Sequence, residues 1–166
     1  MTYIPRTVSK LRTPLVGLAL FFVIGCVPAG LTGPTPDVTA AAVEGGEFDR
    51  LLNRERVDAG MPLLTISPQL QTAAQLHADE MSSQVFFSHD SQDGRTLPDR
   101  VTAQGYGYCW VAENIAQGQA SEAEVMQSWM ASGGHRENNL SRSAVEYGLG
   151  RTADNYWVLV LAKPGC

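Results

Sequence analysis

Apolar and polar positions alternate along this chain with two different periods, and the periods separate its elements. Glu47–Ala59 places Phe48, Leu51, Leu52 and Glu55 at helical spacing with polar residues opposite, which predicts an amphipathic helix ended by Gly60 and Pro62. Ser67-Pro68 predicts the start of a second helix. The serine side chain can accept from free backbone N–H groups, and proline suits the first helical position. That helix runs to about Ser83, with Leu70, Ala73, Ala74, His77 and Met81 on one face. Asp93-Gly94 is a turn signal, and Leu97–Ala103 reads as a short helix broken by Gly105-Tyr106-Gly107. Tyr108–Ala116 is mixed and fits either a short strand or an ordered loop. Ser121 and Glu124 form a capping box before a helix carrying Val125, Met126, Trp129 and Met130, which Gly133-Gly134 ends. Val145–Arg151 and Tyr156–Leu161 are β-rich, and Thr152–Asn155 between them predicts an antiparallel hairpin. Helices first and a hairpin last predict an α+β fold, with helices packed on a small antiparallel sheet.

The N-terminal stretch has a different character. Arg6, Lys10 and Arg12 precede the apolar run Leu15–Ile24, whose 10 residues fall short of the roughly 20 that span a bilayer. This is the pattern of a signal peptide over residues 1–25. Val23-Ile24-Gly25-Cys26 resembles a bacterial lipobox, which implies diacylation of Cys26 and a lipid anchor in the membrane, facing the periplasm or the cell surface. A plain secretory signal cleaved elsewhere is the alternative. Residues 26–45, rich in Pro, Gly, Ala and Thr, read as a tether, and 46–166 as one domain.

Charge narrows the partners. The net charge is −5 from 12 basic and 17 acidic residues; loss of residues 1–25 leaves 9 against 17, or −8. An acidic domain repels phosphate backbones, so nucleic acid is excluded as an expected partner. Export also places Cys109 and Cys166 in an oxidising compartment, where a pair normally forms a disulfide; a nucleophilic Cys109 is the alternative reading.

Four segments then stand out together: Phe86-Phe87-Ser88-His89, Ala112-Glu113-Asn114-Ile115-Ala116, Trp129–Asn138, and Tyr147-Gly148-Leu149-Gly150 followed by Tyr156-Trp157. In this order and spacing they resemble the CAP superfamily, the SCP or TAPS domain, over about Phe48 to Cys166. The resemblance implies an α-β-α sandwich with a three-stranded antiparallel sheet and a cleft lined by two histidines and acidic residues. Carried over by motif, the cleft histidines are His89 and His135 and the first cleft glutamate is Glu113. The second glutamate of animal relatives falls near Ser132, a hydroxyl. Asn114 joins the cleft by adjacency.

Two imidazoles and a carboxylate can hold a divalent metal, zinc being the usual choice, with His89 and His135 as ligands. Glu113 would ligate, or orient one imidazole. The competing reading is a hydrogen-bonded polar cluster with a structural role. His77, on an apolar helix face, reads as a core histidine. Ser132 near His135 has no Gly-x-Ser-x-Gly elbow around it, and Trp110, Trp129 and Trp157 read as core or cleft wall. The expected function is a non-enzymatic binding module for a small-molecule, lipid, glycan or protein ligand outside the cytoplasm. The alternative is a metal-assisted hydrolase of peptide or cell-wall material with Glu113 as general base. A structural envelope protein with a vestigial cleft is a third option.

Overall fold

A computed structural model of the chain describes residues 46–166. The expected signal peptide, the lipidation expected at Cys26 and the expected tether lie outside the described residues. Helix α1 (Glu47–Asp58) is followed by β1 (Thr65–Ile66), α2 (Pro68–Gln84), α3 (Leu97–Ala103) and β2 (Tyr108–Gln117). Helices α4 (Glu122–Ala131) and α5 (Gly133–Asn139) and strands β3 (Glu146–Arg151) and β4 (Tyr156–Pro164) complete it.

The sheet departs from the three antiparallel strands expected. Four strands are ordered β1-β3-β4-β2, and β1 pairs in parallel with β3 through Thr65↔Glu146 and Ile66↔Tyr147. Two residues between a proline and a helix cap carry no readable period, so this strand left no trace in the pattern. The β3–β4 hairpin is present, closed by Thr152–Asn155 with Asn155 at φ 66°. The Tyr108–Ala116 segment is a strand, not a loop, and the strand runs one residue further, to Gln117.

Strand β4 is central, and Tyr156–Ala162 is buried throughout. Its alternate residues feed two separate cores. Trp157, Leu159 and Leu161 pack with Phe48 and Leu52 of α1 and Val125, Met126 and Trp129 of α4. Val158, Val160 and Ala162 pack with Leu70, Ala73, Ala74, Ala78 and Met81 of α2 and Val101 of α3. One layer of helices therefore covers each face, as the α-β-α sandwich requires.

The glycines of Tyr147-Gly148-Leu149-Gly150 explain how close α2 lies. Gly150 pairs with Val158 and Gly148 with Val160, so both face α2. An added Cβ at Gly150 would stand 2.5 Å from the Ala74 carbonyl, and one at Gly148 would meet the Leu70–Gln71 backbone still more closely. The helix backbone rests directly on the strand.

Caps follow the sequence with one change. Ser67 Oγ accepts from Leu70 N, and Ser121 Oγ accepts from Glu124 N at 3.2 Å. The reciprocal arm of the Ser121 box is displaced by one residue: Glu124 accepts from Ala120 N. Cys109 and Cys166 are joined, with Cα atoms 5.1 Å apart. The register of β2 on β4 shifts between Tyr108 and Trp110, so Cys109 is an extra residue on its strand. Such a bulge re-aims a side chain, here toward the chain's last residue.

Candidate functional site

The site is built on the edge strand β2. Glu113 pairs with Val160 and Asn114 with Leu159, so these neighbours point to opposite faces of the sheet. Glu113 faces the α2–α3 layer and Asn114 the α4–α5 layer.

On the first face, Glu113 accepts from two groups. Arg100 Nη2 donates to Oε2 at 2.7 Å, and His89 Nδ1 donates to Oε1 at 2.8 Å. The Arg100 and Glu113 side chains are only 3% and 2% exposed, so this is a buried ion pair, whereas the His89 ring is 57% exposed. Arg100 also donates to the carbonyls of His89 and Arg95, which clamps the loop that presents the imidazole. With Nδ1 committed to the carboxylate, Nε2 of His89 is left as the outward nitrogen. The hydrogen bond that His89 donates to Glu113 raises its pKa above the usual imidazole value, against burial and the Arg100 charge.

The same loop is pinned from behind. His77 is fully buried, and its Nε2 lies 2.9 Å from the Ser88 carbonyl. Glu80 accepts from Ser91 Oγ at 2.7 Å and Arg95 Nη2 at 2.9 Å. The histidine expected in the core is there, and its bond holds the residue next to His89.

On the second face, Asn114 Nδ2 donates to the His135 carbonyl at 3.0 Å and to Asn139 Oδ1 at 2.8 Å. Asn138 Nδ2 donates back to Asn114 Oδ1 at 2.9 Å. These amides seat α5, a seven-residue polar helix that starts right after Ser132. Gly133-Gly134 therefore ends one helix and opens another. His135 is half-buried, and burial followed by the positive charge of His89 lowers its pKa. One imidazole is shifted up and the other down. Ser132 is the hinge between α4 and α5, and its side chain does not cap α5.

Arg100, Asn138 and Asn139 were missed as site residues. Asn138 lay inside a recognised segment without a role, and nothing in the sequence marks Arg100 as buried. Arg56 is a parallel case: fully buried, it donates to the carbonyls of Pro62, Asn139 and Ser141, tying α1 to the end of α5.

As a metal site the donor set is lean. Among the described residues no group of three or more His, Cys, Asp or Glu side chains is arranged to hold an ion. Both Glu113 oxygens already have partners. An ion held by two imidazoles alone would need water or ligand to complete its shell.

A model of the cysteine-rich secretory protein family, CAP, matches residues 50–161. The chain belongs to this family. YkwD of Bacillus subtilis (strain 168) is 34% identical over 100 residues, 60% of this chain and 39% of its own. YlbC, a membrane protein of the same organism, is 28% identical over 60% of this chain and 29% of its own length. An extracellular protein with an SCP domain from Bacillus anthracis str. Ames shares the fold with TM-score 0.67 and 30% identity, covering 70% of this chain and 39% of that one. The chain thus spans under half of these relatives. The matched residues include His89, Arg100, Glu113, Asn114 and His135.

Proposed function

We propose that this CAP domain is a non-enzymatic binding module. It is exported, lipid-anchored through Cys26, and presents the His89–His135 cleft to a small or extended ligand outside the cytoplasm. The observation that carries this reading is the state of Glu113. A general base needs an oxygen within reach of the proton it takes. Here both oxygens are engaged, one in a buried pair with Arg100 and the other on His89. That arrangement supports an orienting role. The B. anthracis relative is described as extracellular, which supports the location.

A divalent ion such as zinc would be held by His89 Nε2 and His135, and would act there as a Lewis acid toward a ligand oxygen. The chain's own part is to fix the His89 tautomer through Glu113 and to keep His135 neutral near pH 7 through burial. The hydrolase reading draws on the same ion but needs a free base.

The test is a calorimetric zinc titration of the full chain in non-ionic detergent, beside His89→Ala and His135→Ala. Weak binding lost in both variants is expected. No heat in the parent chain would leave the histidines as a polar cluster. Turnover of peptide or cell-wall substrate that Glu113→Gln abolishes would replace the binding reading with the hydrolase.

A further inference from the structure

A second pocket, away from the histidine cleft, lies where α1 and α4 begin. It has a volume of about 170 Å³ and is lined in part by Asp49, Glu122, Phe48, Tyr147, Ile66 and Leu149. A cavity of roughly this size holds a ligand of about six non-hydrogen atoms.

Its chemistry is uneven in a telling way. Asp49 is only 3% exposed, and its Oδ1 is satisfied by Tyr147 Oη at 2.7 Å and Asn53 Nδ2 at 3.1 Å. Its Oδ2 is buried and has no hydrogen-bond partner. Glu122 Oε2, on the other wall, is likewise buried without a partner. No ion pair reaches either carboxylate among the described residues. Asp49 and Glu122 both stand in the first turn of a helix, where the helix field favours negative charge. No N–H is close enough to use these two oxygens. Buried acceptors are normally paired, so an unpaired one on a cavity wall marks the place of a missing donor. The negative charge of both residues also reaches the Tyr147 phenol, whose pKa is driven up by burial and by Asp49, with Glu122 adding to it.

The rest of the wall selects the kind of donor. Phe48 and Tyr147 present aromatic rings with centroids 6.1 Å apart, and Ile66 and Leu149 are aliphatic. Gln71 adds one amide to this wall, and among the described residues no group of three or more His, Cys, Asp or Glu side chains is arranged to hold a bare metal ion. An alkylammonium uses every feature: charge-assisted hydrogen bonds to two carboxylates, cation–π attraction to the rings, and carbon against carbon. The chain does not bring its own basic side chain along the adjoining segment, because residues 13–45 contain no Lys, Arg or His.

We infer that the Asp49–Glu122 pocket is a recognition site for a primary ammonium group on a short carbon chain, such as the aminoalkyl end of an extracytoplasmic ligand. The pocket does not depend on the histidine cleft.

The experiment is an amide NMR titration of the full chain in non-ionic detergent with n-butylammonium chloride, with butanol and magnesium chloride as controls. Saturable shifts are expected at Phe48, Tyr147 and Leu149, with neither control producing them. Asp49→Asn and Glu122→Gln should each weaken binding at least about tenfold, the loss of one charge-assisted bond. Glu122→Gln carries the test should Asp49→Asn disturb the Tyr147 and Asn53 bonds, because Glu122 Oε2 has no partner to lose. The inference is overturned by the absence of saturable shifts. It is equally overturned by unchanged affinity in Glu122→Gln, by butanol binding as well as the ammonium, or by magnesium saturating the same resonances where the ammonium does not.

Discussion

Replacing Gly150 by alanine tests the statement that α2 rests on β3 backbone to backbone. The new Cβ would lie 2.5 Å from the carbonyl carbon and oxygen of Ala74 and from the nitrogen of Gln75, where ordinary contact begins at 3.4 Å. All three atoms are helix backbone, so no side chain can rotate away. Either α2 lifts from the sheet or β3 bends. Lifting α2 opens the cluster in which Leu70, Ala73, Ala74, Ala78 and Met81 meet Val158 and Val160. Overpacking of this kind costs about 1–3 kcal/mol, and more where backbone must move. Displaced methyl contacts lose a quarter to a half of their attraction for a gap of roughly 0.5–1 Å. A loss near the top of that range, about 3 kcal/mol, is the expected result by urea unfolding followed by circular dichroism. Gly107→Ala is the control, because nothing lies within 4 Å of its added Cβ and its φ is not positive. It should change stability by less than about 0.5 kcal/mol. A Gly150→Ala domain as stable as the parent would refute the close-contact account of the Tyr-Gly-Leu-Gly segment.

Two further predictions concern the cleft and its frame. Glu113→Gln removes the partner of a buried Arg100, which costs on the order of 3–5 kcal/mol at any pH. It also removes the cause of the raised His89 pKa. Because that pKa is raised, the His89–Glu113 contribution is complete below the unfolded value near 6.5 and lost as pH rises through the folded one. The variant should therefore lose more stability at about pH 5.5 than at about pH 8.5, with the His89 imidazole resonance titrating lower than in the parent; equal losses at both pH values would contradict the pairing. Cys109→Ser closes the second case: with the joined cysteines separated by 57 positions in sequence, loop-closure entropy assigns the bond about 4 kcal/mol, to be read from the urea midpoint against the parent.

The periodic elements were legible because burial and sequence period coincide. Helix α2 shows Leu70, Ala74, His77 and Met81 on its buried face, and β4 is buried from Tyr156 to Ala162, so both read correctly. The same logic fails where buried positions are polar. Helix α1 buries Asp49, Asn53 and Arg56 beside Phe48 and Leu52, whereas pattern alone favours Leu51, which is only partly buried. Arg56 is stable inside because three main-chain carbonyls receive it, and Arg100 because Glu113 and two carbonyls do. Those acceptors come from segments as far as 85 residues away, so no local signal announces them. Helix α5 is invisible for a related reason. Gly-Gly-His-Arg-Glu-Asn-Asn has no apolar period, and its anchorage is the Asn114–Asn138–Asn139 amide network. The histidines and Glu113 were reached through segment order, but their bonding was not readable from it.

The register of one strand pair decides whether the Glu113 and Asn114 hydrogen-bond clusters form. Glu113 and Asn114 are consecutive, and the period of two sends them to opposite layers. A slip of one residue between β2 and β4 would turn Glu113 toward Trp129 and α5, and would offer Asn114 to Arg100. The buried guanidinium would then lose its charge partner, His89 its hydrogen bond, and His135 the amide that holds its carbonyl. Three features oppose the slip. Ile115 and Ala116 are each sorted into the core matching their β4 partners Val158 and Trp157, so a shift misplaces apolar side chains as well. The bulge at Cys109 interrupts the ladder at the outer end. The bond from Cys109 to Cys166 then ties the start of β2 to the residue two beyond the end of β4. The disulfide lies outside the cleft, yet it fixes the register on which the distances among Glu113, His89 and Arg100 depend.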